Sequence, residues 1–355
     1  MQKKALLRRH LRTLRVDGIL ITDLTNLRYL TGFTGSSGFA VITTRHALFV
    51  TDFRYQEQSG QEVRGFTIKI EHTERSREIS AICRAFGIRR LGVEGHNITV
   101  EFYGRLGKQG IRIKPLPNIV QSLRIIKTPA ELASIATSVR RAETAFRKLI
   151  PAIRRGTTEQ KLALKFEELL KHCGCKKLPF EVIVASGPTA ALPHARPTGR
   201  KLREGDLVIF DWGGECDGYF SDMTRTVLLR GKDIARQREI YDHVLEAQGR
   251  AIEKVRAGAK ASDVDGAARK YIRDAGYDEY FGHGTGHGVG LAVHEKPVVS
   301  WRSREVIREN MVFTVEPGIY IPGFGGVRIE DMVVARKNGA RLLTSLSRKL
   351  KIIEV

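Results

Sequence analysis

The chain has 355 residues, enough for two domains, and 42% hydrophobic with 28% charged residues is a globular composition. No apolar run approaches the roughly 20 residues needed to span a bilayer, which argues against membrane insertion. Four cysteines without a CxxC pair exclude a disulfide scaffold and predict reduced thiols. Cys173 and Cys175 resemble half of a metal site, but no second pair accompanies them.

The formal net charge of +21 raises the question of a polyanionic partner. The excess is spread along the chain: up to residue 125 there are 21 Lys and Arg against 10 Asp and Glu, and beyond it 39 against 29. Because no basic tail or block exists, the charge predicts a solvated surface with only incidental polyanion affinity at low salt. We therefore do not expect nucleic acid to be a partner.

The basic N-terminus "MQKKALLRRHLRTLRVDGILIT" could be mistaken for a targeting peptide. Its leucines at 7, 11 and 14 follow helical spacing, and the segment leads directly into the strand "GILIT". It therefore predicts the first helix of a domain and a cytoplasmic protein.

Up to residue 122 the pattern alternates helices and strands, with strands predicted at "FAVITT", "HALFVTD", "FTIKIEH" and "RLGVEG". A boundary follows, because Thr128, Pro129 and Glu131 form a helix start with a capping box and proline at the first helical position. Two helices are predicted over 128–172, strands after them, and another helix pair near 234–256 and 262–275. The fold class predicted is α+β, with a small α/β domain at 1–122 and a second domain at 123–355.

The segment "FDWGGECDGYFSDMTRT", residues 210–226, predicts a hairpin with Asp217 and Gly218 as its two-residue loop. In that register, residue 211 pairs with 224 and residue 213 pairs with 222. Asp211 and Asp222 then become diagonal neighbours on one face, roughly 7 to 8 Å apart. If partly buried, such a pair requires a proton or cations between the carboxylates. A solvent-facing hairpin with ordinary surface aspartates is the alternative.

The segment "YFGHGTGHGVGLAVHE" contains His283, His287 and His294 among five glycines. Each glycine costs about 1 kcal/mol relative to alanine in a helix, so the histidines are predicted on a loop or irregular strand. Flexible loop histidines without a ligand remain the alternative.

Glu316 in "MVFTVEPGIY" and Glu330 in "GGVRIEDMVV" follow apolar alternations that would bury them, and lone buried glutamates are rare. With Asp211, Asp222 and His287 they complete an oxygen-rich set suited to two divalent ions such as Mn²⁺. Two such ions would balance the four carboxylate charges and stabilise the paired aspartates.

The segments just quoted, together with "TVEPGIY" and "GVRIED", resemble the metal-ligand segments of the pita-bread metallopeptidases, specifically the Xaa-Pro peptidases, aminopeptidase P and prolidase. Upstream, "TDLTNLRYLTGFTGSSG" and "TDFRYQEQ" are similar to the creatinase-type N-terminal domain. The resemblance covers nearly the whole chain, and it implies a pita-bread catalytic domain after a creatinase-like N-terminal domain. It also implies a homodimer acting on short proline-containing peptides.

The resemblance implies a role for each matched position. Asp211 would bind one ion through both oxygens, and Asp222 and Glu330 would bridge the two ions. His287 and Glu316 would complete the coordination of the second ion. The ions would be Mn²⁺, with Co²⁺ or Zn²⁺ as alternatives. The catalytic residues implied are Glu316 as the proton shuttle, His294 as the oxyanion donor, His194 and His283 beside the substrate, and Arg328 orienting the bridging carboxylate or a substrate carboxylate.

The function implied is a dimetal exopeptidase that hydrolyses the Xaa-Pro bond at the N-terminus of peptides, as aminopeptidase P does. An Xaa-Pro dipeptidase (prolidase) shares the motifs and is the first alternative. A creatinase-like amidinohydrolase fits the fold but not the retained ligands, and a noncatalytic binding module is favoured only by the +21 charge.

Overall fold

The computed structural model describes residues 2–354, which divide into two compact units. One ends at Arg124 and the other begins at Ile125. This division falls close to the domain boundary that the sequence predicts after residue 122.

The first unit is an α/β layer structure built on one six-stranded sheet. Its helices are α1 (Gln2–Leu14), α2 (Leu24–Thr31), α3 (Gln56–Glu62), α4 (Arg75–Ala85), α5 (Val100–Lys108) and α6 (Ile119–Arg124). Its strands are β1 (Gly18–Ile21), β2 (Phe39–Thr43), β3 (Ala47–Thr51), β4 (Thr67–Ile70), β5 (Arg90–Glu94) and β6 (Arg112–Leu116). The strand order is β4-β3-β2-β1-β5-β6, with β2 antiparallel to both of its neighbours. Leu7 and Leu11 of α1 are buried, as the helical spacing predicts.

The second unit combines four long helices with several sheets that are mostly antiparallel. Its helices are α7 (Pro129–Leu149), α8 (Glu159–His172), α9 (Ala235–Lys254) and α10 (Ala261–Asp274). Its strands are β7 (Ile183–Ser186), β8 (Leu207–Trp212), β9 (Glu215–Cys216), β10 (Tyr219–Phe220), β11 (Met223–Leu229), β12 (Gly286–Gly288), β13 (Glu295–Val299), β14 (Val312–Val315), β15 (Gly318–Ile321), β16 (Gly325–Arg328), β17 (Asp331–Arg336), β18 (Gly339–Leu342) and β19 (Lys351–Ile353). The larger sheets have the orders β19-β11-β8-β7 and β13-β12-β14-β17-β18.

Helix α7 begins as the sequence predicts, with Thr128 as its N-cap, Pro129 in its first turn and a complete capping box with Glu131. The box satisfies backbone donors that a helix N-terminus otherwise leaves unpaired. No helix among residues 2–354 combines the length and the apolar character needed to cross a membrane.

An aromatic core fixes which face of β8 the helices cover. Phe210 and Trp212 of β8 pack against Phe146 of α7 and Phe166 of α8, and the Phe146 and Trp212 ring centroids lie 4.5 Å apart. Because side chains alternate along a strand, Asp211 must point to the opposite face. Because the helices cover the opposite face of β8, the carboxylate of Asp211 points away from the aromatic core.

Candidate metal centre

The hairpin that carries the two aspartates has the register predicted from the sequence. Thr224 lies opposite Asp211 in the β8–β11 ladder, and Tyr219 lies opposite Cys216 in the β9–β10 ladder. Asp217 and Gly218 have φ angles of 51° and 85°, as a type I′ turn requires. Asp222 is buried just before β11. The turn thus places both aspartates on the sheet face away from the helices, and the solvent-facing alternative for Asp222 is wrong.

His287 lies in β12, a three-residue strand between β13 and β14. The register shifts between His287 and Gly288, so the prediction of an irregular strand is confirmed here. A Cβ added to Gly286 would lie 2.0 Å from the Thr314 carbonyl oxygen, and one at Gly288 would lie 2.1 Å from the Lys296 carbonyl oxygen. The glycines beside His287 are therefore required for close backbone approach.

The two glutamates reach the same place from separate strands. Glu316 follows β14, and Glu330 stands between β16 and β17. All nine residues predicted to form the site line one cavity of about 530 Å³: His194, Asp211, Asp222, His283, His287, His294, Glu316, Arg328 and Glu330.

The innermost group of donors consists of Asp222, His287 and Glu330, whose ligand atoms lie within 4.8 Å of one another. His287 Nε2 is 3.5 Å from Asp222 Oδ2 and 3.4 Å from Glu316 Oε1. His287 Nδ1 is 3.2 Å from the Gly288 carbonyl oxygen, to which it can donate in the neutral ring. Burial lowers the pKa of His287, which favours that neutral ring. Its Nε2 lone pair then faces two carboxylates.

The electrostatics of this cluster require positive charge. Burial, reinforced by neighbouring carboxylates, raises the pKa of Asp222 and of Glu330 well above their ordinary values. Asp211 Oδ1 and Glu330 Oε1 are buried and accept no hydrogen bond from the described part of the chain. Unpaired buried carboxylate oxygens are costly. Hard divalent cations prefer oxygen ligands, so the donor set fits the two ions expected from the sequence.

Arg328 is buried and binds the cluster at two points. Its Nη2 donates to Asp211 Oδ2 at 2.6 Å, and its Nε donates to Thr224 Oγ1 at 3.0 Å. Thr224 Oγ1 donates in turn to Glu330 Oε2 at 2.7 Å. Arg328 therefore fixes Asp211 directly and Glu330 through one hydroxyl, which favours a carboxylate-orienting role over contact with a substrate carboxylate.

Tyr320 belongs to the site although the sequence analysis did not select it. Its hydroxyl accepts from Arg328 Nη1 at 2.8 Å and lies 2.9 Å from His283 Nε2. His283 Nδ1 lies 2.8 Å from the Gly284 carbonyl oxygen, so the neutral ring can donate there and accept the tyrosine proton at Nε2. Burial raises the pKa of Tyr320 to about 12 and lowers the pKa of His283, which keeps both groups neutral. An apolar "GIYI" strand gave no signal for this role.

We expect Tyr320→Phe to lower kcat/KM about 10- to 100-fold with metal content unchanged. The substitution removes one acceptor from buried Arg328 and one donor from His283, and each unsatisfied buried group costs about 1 to 3 kcal/mol. Steady-state kinetics and metal analysis of the same preparation would test this. Tyr277→Phe is the matched control, because the Tyr277 hydroxyl donates a hydrogen bond to Glu239 at an exposed position. Loss of metal in Tyr320→Phe would contradict the prediction.

His194 and His294 lie at the wall of the cavity and are more exposed than the carboxylates. The His294 ring centroid is 4.2 Å from that of His287. Burial, with His287 nearby, lowers the pKa of His294, so its ring is neutral at pH 7 and carries one N–H donor. The site thus brings together a set of candidate metal ligands, a neutral imidazole donor and a carboxyl group of raised pKa, Glu316.

The sequence is similar to those of known protein families. Residues 133–337 match the metallopeptidase family M24, and residues 4–126 match the creatinase/prolidase N-terminal domain. An Xaa-Pro dipeptidase of Pyrococcus horikoshii is 38% identical over 342 residues, covering 94% of each chain.

Solved structures extend the similarity to the three-dimensional fold. An Xaa-Pro dipeptidase from Bacillus anthracis superposes with a TM-score of 0.97 at 37% identity, covering 99% of each chain. An X-Pro aminopeptidase from Thermotoga maritima gives 0.90 at 33% identity, covering 97% of this chain and 100% of the other. The α+β fold predicted from the sequence is confirmed, and the chain belongs to the metallopeptidase family M24 with a creatinase-type N-terminal domain.

Proposed function

We propose that this enzyme hydrolyses the Xaa-Pro bond at the free N-terminus of short peptides, dipeptides included. The observation that carries the proposal is the convergence of all nine predicted site residues on one cavity. The names of its relatives, both Xaa-Pro dipeptidase and X-Pro aminopeptidase, support the same substrate class.

Five residues would hold two divalent ions: Asp211, Asp222, His287, Glu316 and Glu330. The two carboxylate oxygens without hydrogen-bond donors, Asp211 Oδ1 and Glu330 Oε1, are the ones we assign first as ligands. The predominance of carboxylates favours Mn²⁺. When bound, such ions polarise a carbonyl and lower the pKa of water.

Glu316 is the group we assign to proton transfer. Its Oε1 accepts from Thr314 Oγ1 at 2.8 Å, which leaves Oε2 to take a proton from the attacking water and deliver it to the leaving nitrogen. Burial raises the pKa of Glu316 in the metal-free protein. Thr314 Oγ1 also accepts from the His287 backbone N–H at 3.0 Å, which fixes Glu316 relative to His287.

His294 would donate its N–H to the carbonyl oxygen as negative charge develops there. Arg328 would hold Asp211 in place, and Thr224 would hold Glu330, before substrate arrives. These groups are oriented by the fold, so little reorganisation is needed during the reaction.

Proline specificity requires an apolar pocket, since an Xaa-Pro bond has no N–H to recognise. The cavity wall supplies Phe180, Ile183 and Val298 beside the carboxylate floor. Arg196 and Arg302 line the same cavity and are suited to a free carboxylate near proline, which favours activity on dipeptides.

The substrate proposal predicts that Ala-Pro or Ala-Pro-Ala is cleaved about 10- to 100-fold more efficiently than its alanine counterpart, chiefly in kcat/KM. N-acetylation should abolish cleavage, because it removes the positive charge of the amine and leaves the acidic groups that bind the amine unpaired. Hydrolysis of Ala-Pro, Ala-Pro-Ala, Ala-Ala, Ala-Ala-Ala and N-acetyl-Ala-Pro-Ala with Mn²⁺ tests all three properties. Equal rates on Ala-Pro-Ala and Ala-Ala-Ala would contradict proline specificity, and cleavage of the acetylated peptide would contradict exopeptidase action.

Comparison of Ala-Pro with Ala-Pro-Ala also distinguishes an aminopeptidase from a strict prolidase, since a strict prolidase cleaves only the dipeptide.

Metal analysis tests the more distant alternative functions. Two ions per chain would support a dimetal peptidase, and the absence of bound metal would favour an amidinohydrolase or a binding module. The homodimer and the cytoplasmic location remain predictions from the sequence.

A further inference from the structure

A second cavity, remote in sequence from the metal cluster, lies within the N-terminal unit and is polar. Its volume is about 730 Å³, within the range of small-molecule sites. Four segments form it: the end of α1 with the turn after it, the β2–β3 turn, the end of α4 with the turn after it, and the start of β5. We call it the arginine pocket, defined by Arg12, Arg15, Arg45 and Arg90.

These four arginines are exposed, and none forms an ion pair within residues 2–354. Asp17 is the carboxylate that lines the arginine pocket. Its Oδ2 already accepts the backbone N–H groups of Arg89 at 2.9 Å and of Arg90 at 2.7 Å. Asp17 therefore compensates at most one of the four positive charges.

Two helix C-termini meet the arginine pocket, those of α1 and α4, and each carries about half a negative charge. Together with Asp17 they offset about two of the four arginine charges. About two positive charges remain uncompensated, which matches a phosphate monoester, whose charge at pH 7 is about −1.5 to −2. Guanidinium groups bind phosphate oxygens with two parallel hydrogen bonds, so the side-chain type fits as well.

An aromatic pair supplies a surface for an organic group. His46 and Phe86 stack with ring centroids 4.3 Å apart and an interplanar angle of 10°. Thr43 Oγ1 fixes the His46 turn by accepting the backbone N–H groups of Arg45 at 3.2 Å and His46 at 2.8 Å. A further cavity of about 570 Å³ is also lined by Arg45, His46 and Phe86. Planar bases stack favourably on such rings.

We propose that the arginine pocket binds a small phosphorylated ligand with a planar organic part, of the nucleoside monophosphate class. The arginines contact the phosphate, and the planar group lies on His46. The arginine pocket shares no lining residue with the cavity that holds the metal cluster, and it would account for part of the basic excess that the peptidase function leaves unexplained.

The test is isothermal titration calorimetry of the full chain with AMP, inorganic phosphate and adenosine at low salt. We expect AMP to bind once per chain, more tightly than phosphate, and adenosine not to bind. The Arg45→Ala/Arg90→Ala variant should weaken AMP at least tenfold. The matched control is Arg9→Ala/Arg77→Ala, which removes two exposed arginines outside the pocket and should change affinity less than twofold.

His46→Ala tests the stacking part. Loss of base stacking should weaken AMP at least about fivefold while leaving phosphate affinity within twofold. Cleavage of Ala-Pro at the wild-type rate by all variants would establish that they fold.

Several outcomes would overturn the proposal. Equal losses in the pocket and control variants would make the binding nonspecific. Loss of AMP binding after metal removal by chelation would place the phosphate at the peptidase metals. Binding of a ten-nucleotide RNA more than about 100-fold tighter than AMP would indicate a nucleic-acid surface instead of a small-ligand site.

Discussion

Asp222→Asn is expected to lose bound metal and to lower kcat/KM for Ala-Pro at least about 10³-fold, the largest effect of any single substitution considered. The ions contribute several kcal/mol of transition-state stabilisation, and about 1.4 kcal/mol corresponds to tenfold in rate. Asparagine keeps the shape of the side chain but removes one of four negative charges facing the ions.

The same substitution should change thermal stability in opposite directions with and without metal. In metal-free protein, burial raises the pKa of Asp222, and the nearby carboxylates of Asp211 and Glu316 raise it further. Asparagine relieves that repulsion, so the metal-free variant should melt at a higher temperature than the metal-free wild type. With saturating Mn²⁺ the order should reverse, because a ligand that binds only the folded state stabilises it by an amount that grows with the logarithm of its affinity, and the wild type binds the metal more tightly.

Metal analysis, Ala-Pro kinetics and thermal melts with and without chelator measure these effects. Asp217→Asn is the matched control: it lies in the same hairpin, makes the same charge change and stands in an exposed turn where asparagine tolerates the positive φ. Two bound ions and full activity in Asp222→Asn would refute the assignment of Asp222 as a metal ligand.

His294→Ala is expected to retain both ions and to lower kcat about 10²- to 10³-fold, as removal of one oxyanion donor typically does. His294 lines the cavity beside His287, but it does not belong to the inner donor group. Because the N–H is needed mainly as charge develops, KM should change much less than kcat.

Stopped and continuous assays with Ala-Pro, together with metal analysis, would check this result. His172→Ala, at the exposed C-terminal end of α8, controls for loss of an imidazole. Stoichiometric loss of metal from His294→Ala would show that His294 is a metal ligand and not the oxyanion donor.

The hairpin shows how much of the site the sequence alone could predict. Asp217 and Gly218 determine the turn, the turn determines the register, and the register determines which face Asp211 and Asp222 share. Each step follows from local backbone geometry, so it needs no three-dimensional information. The glycines around His287 likewise predict an irregular strand, although the contacts that require them, to Thr314 and Lys296, became visible only in the structure.

The hydroxyl groups that hold the ligands could not be found in this way. Thr224, Thr314 and Tyr320 lie in buried strands and carry no charge, so their sequence context is that of ordinary strand residues. Their roles depend on partners far away in the chain, such as Glu330 for Thr224. The distribution of positive charge gave equally little indication of this pocket, because its four arginines come from three segments that are distant in the chain.

The type I′ turn at Asp217 and Gly218 has a consequence for engineering the hairpin. Surface loops usually tolerate insertions, since lengthening a loop costs little entropy. Here one added residue that propagated as a register shift would move Asp222 to the helix-facing side of the sheet. The two turn residues can therefore be replaced by others that adopt a positive φ. The number of residues in the turn, however, is constrained as strictly as the identity of a catalytic residue.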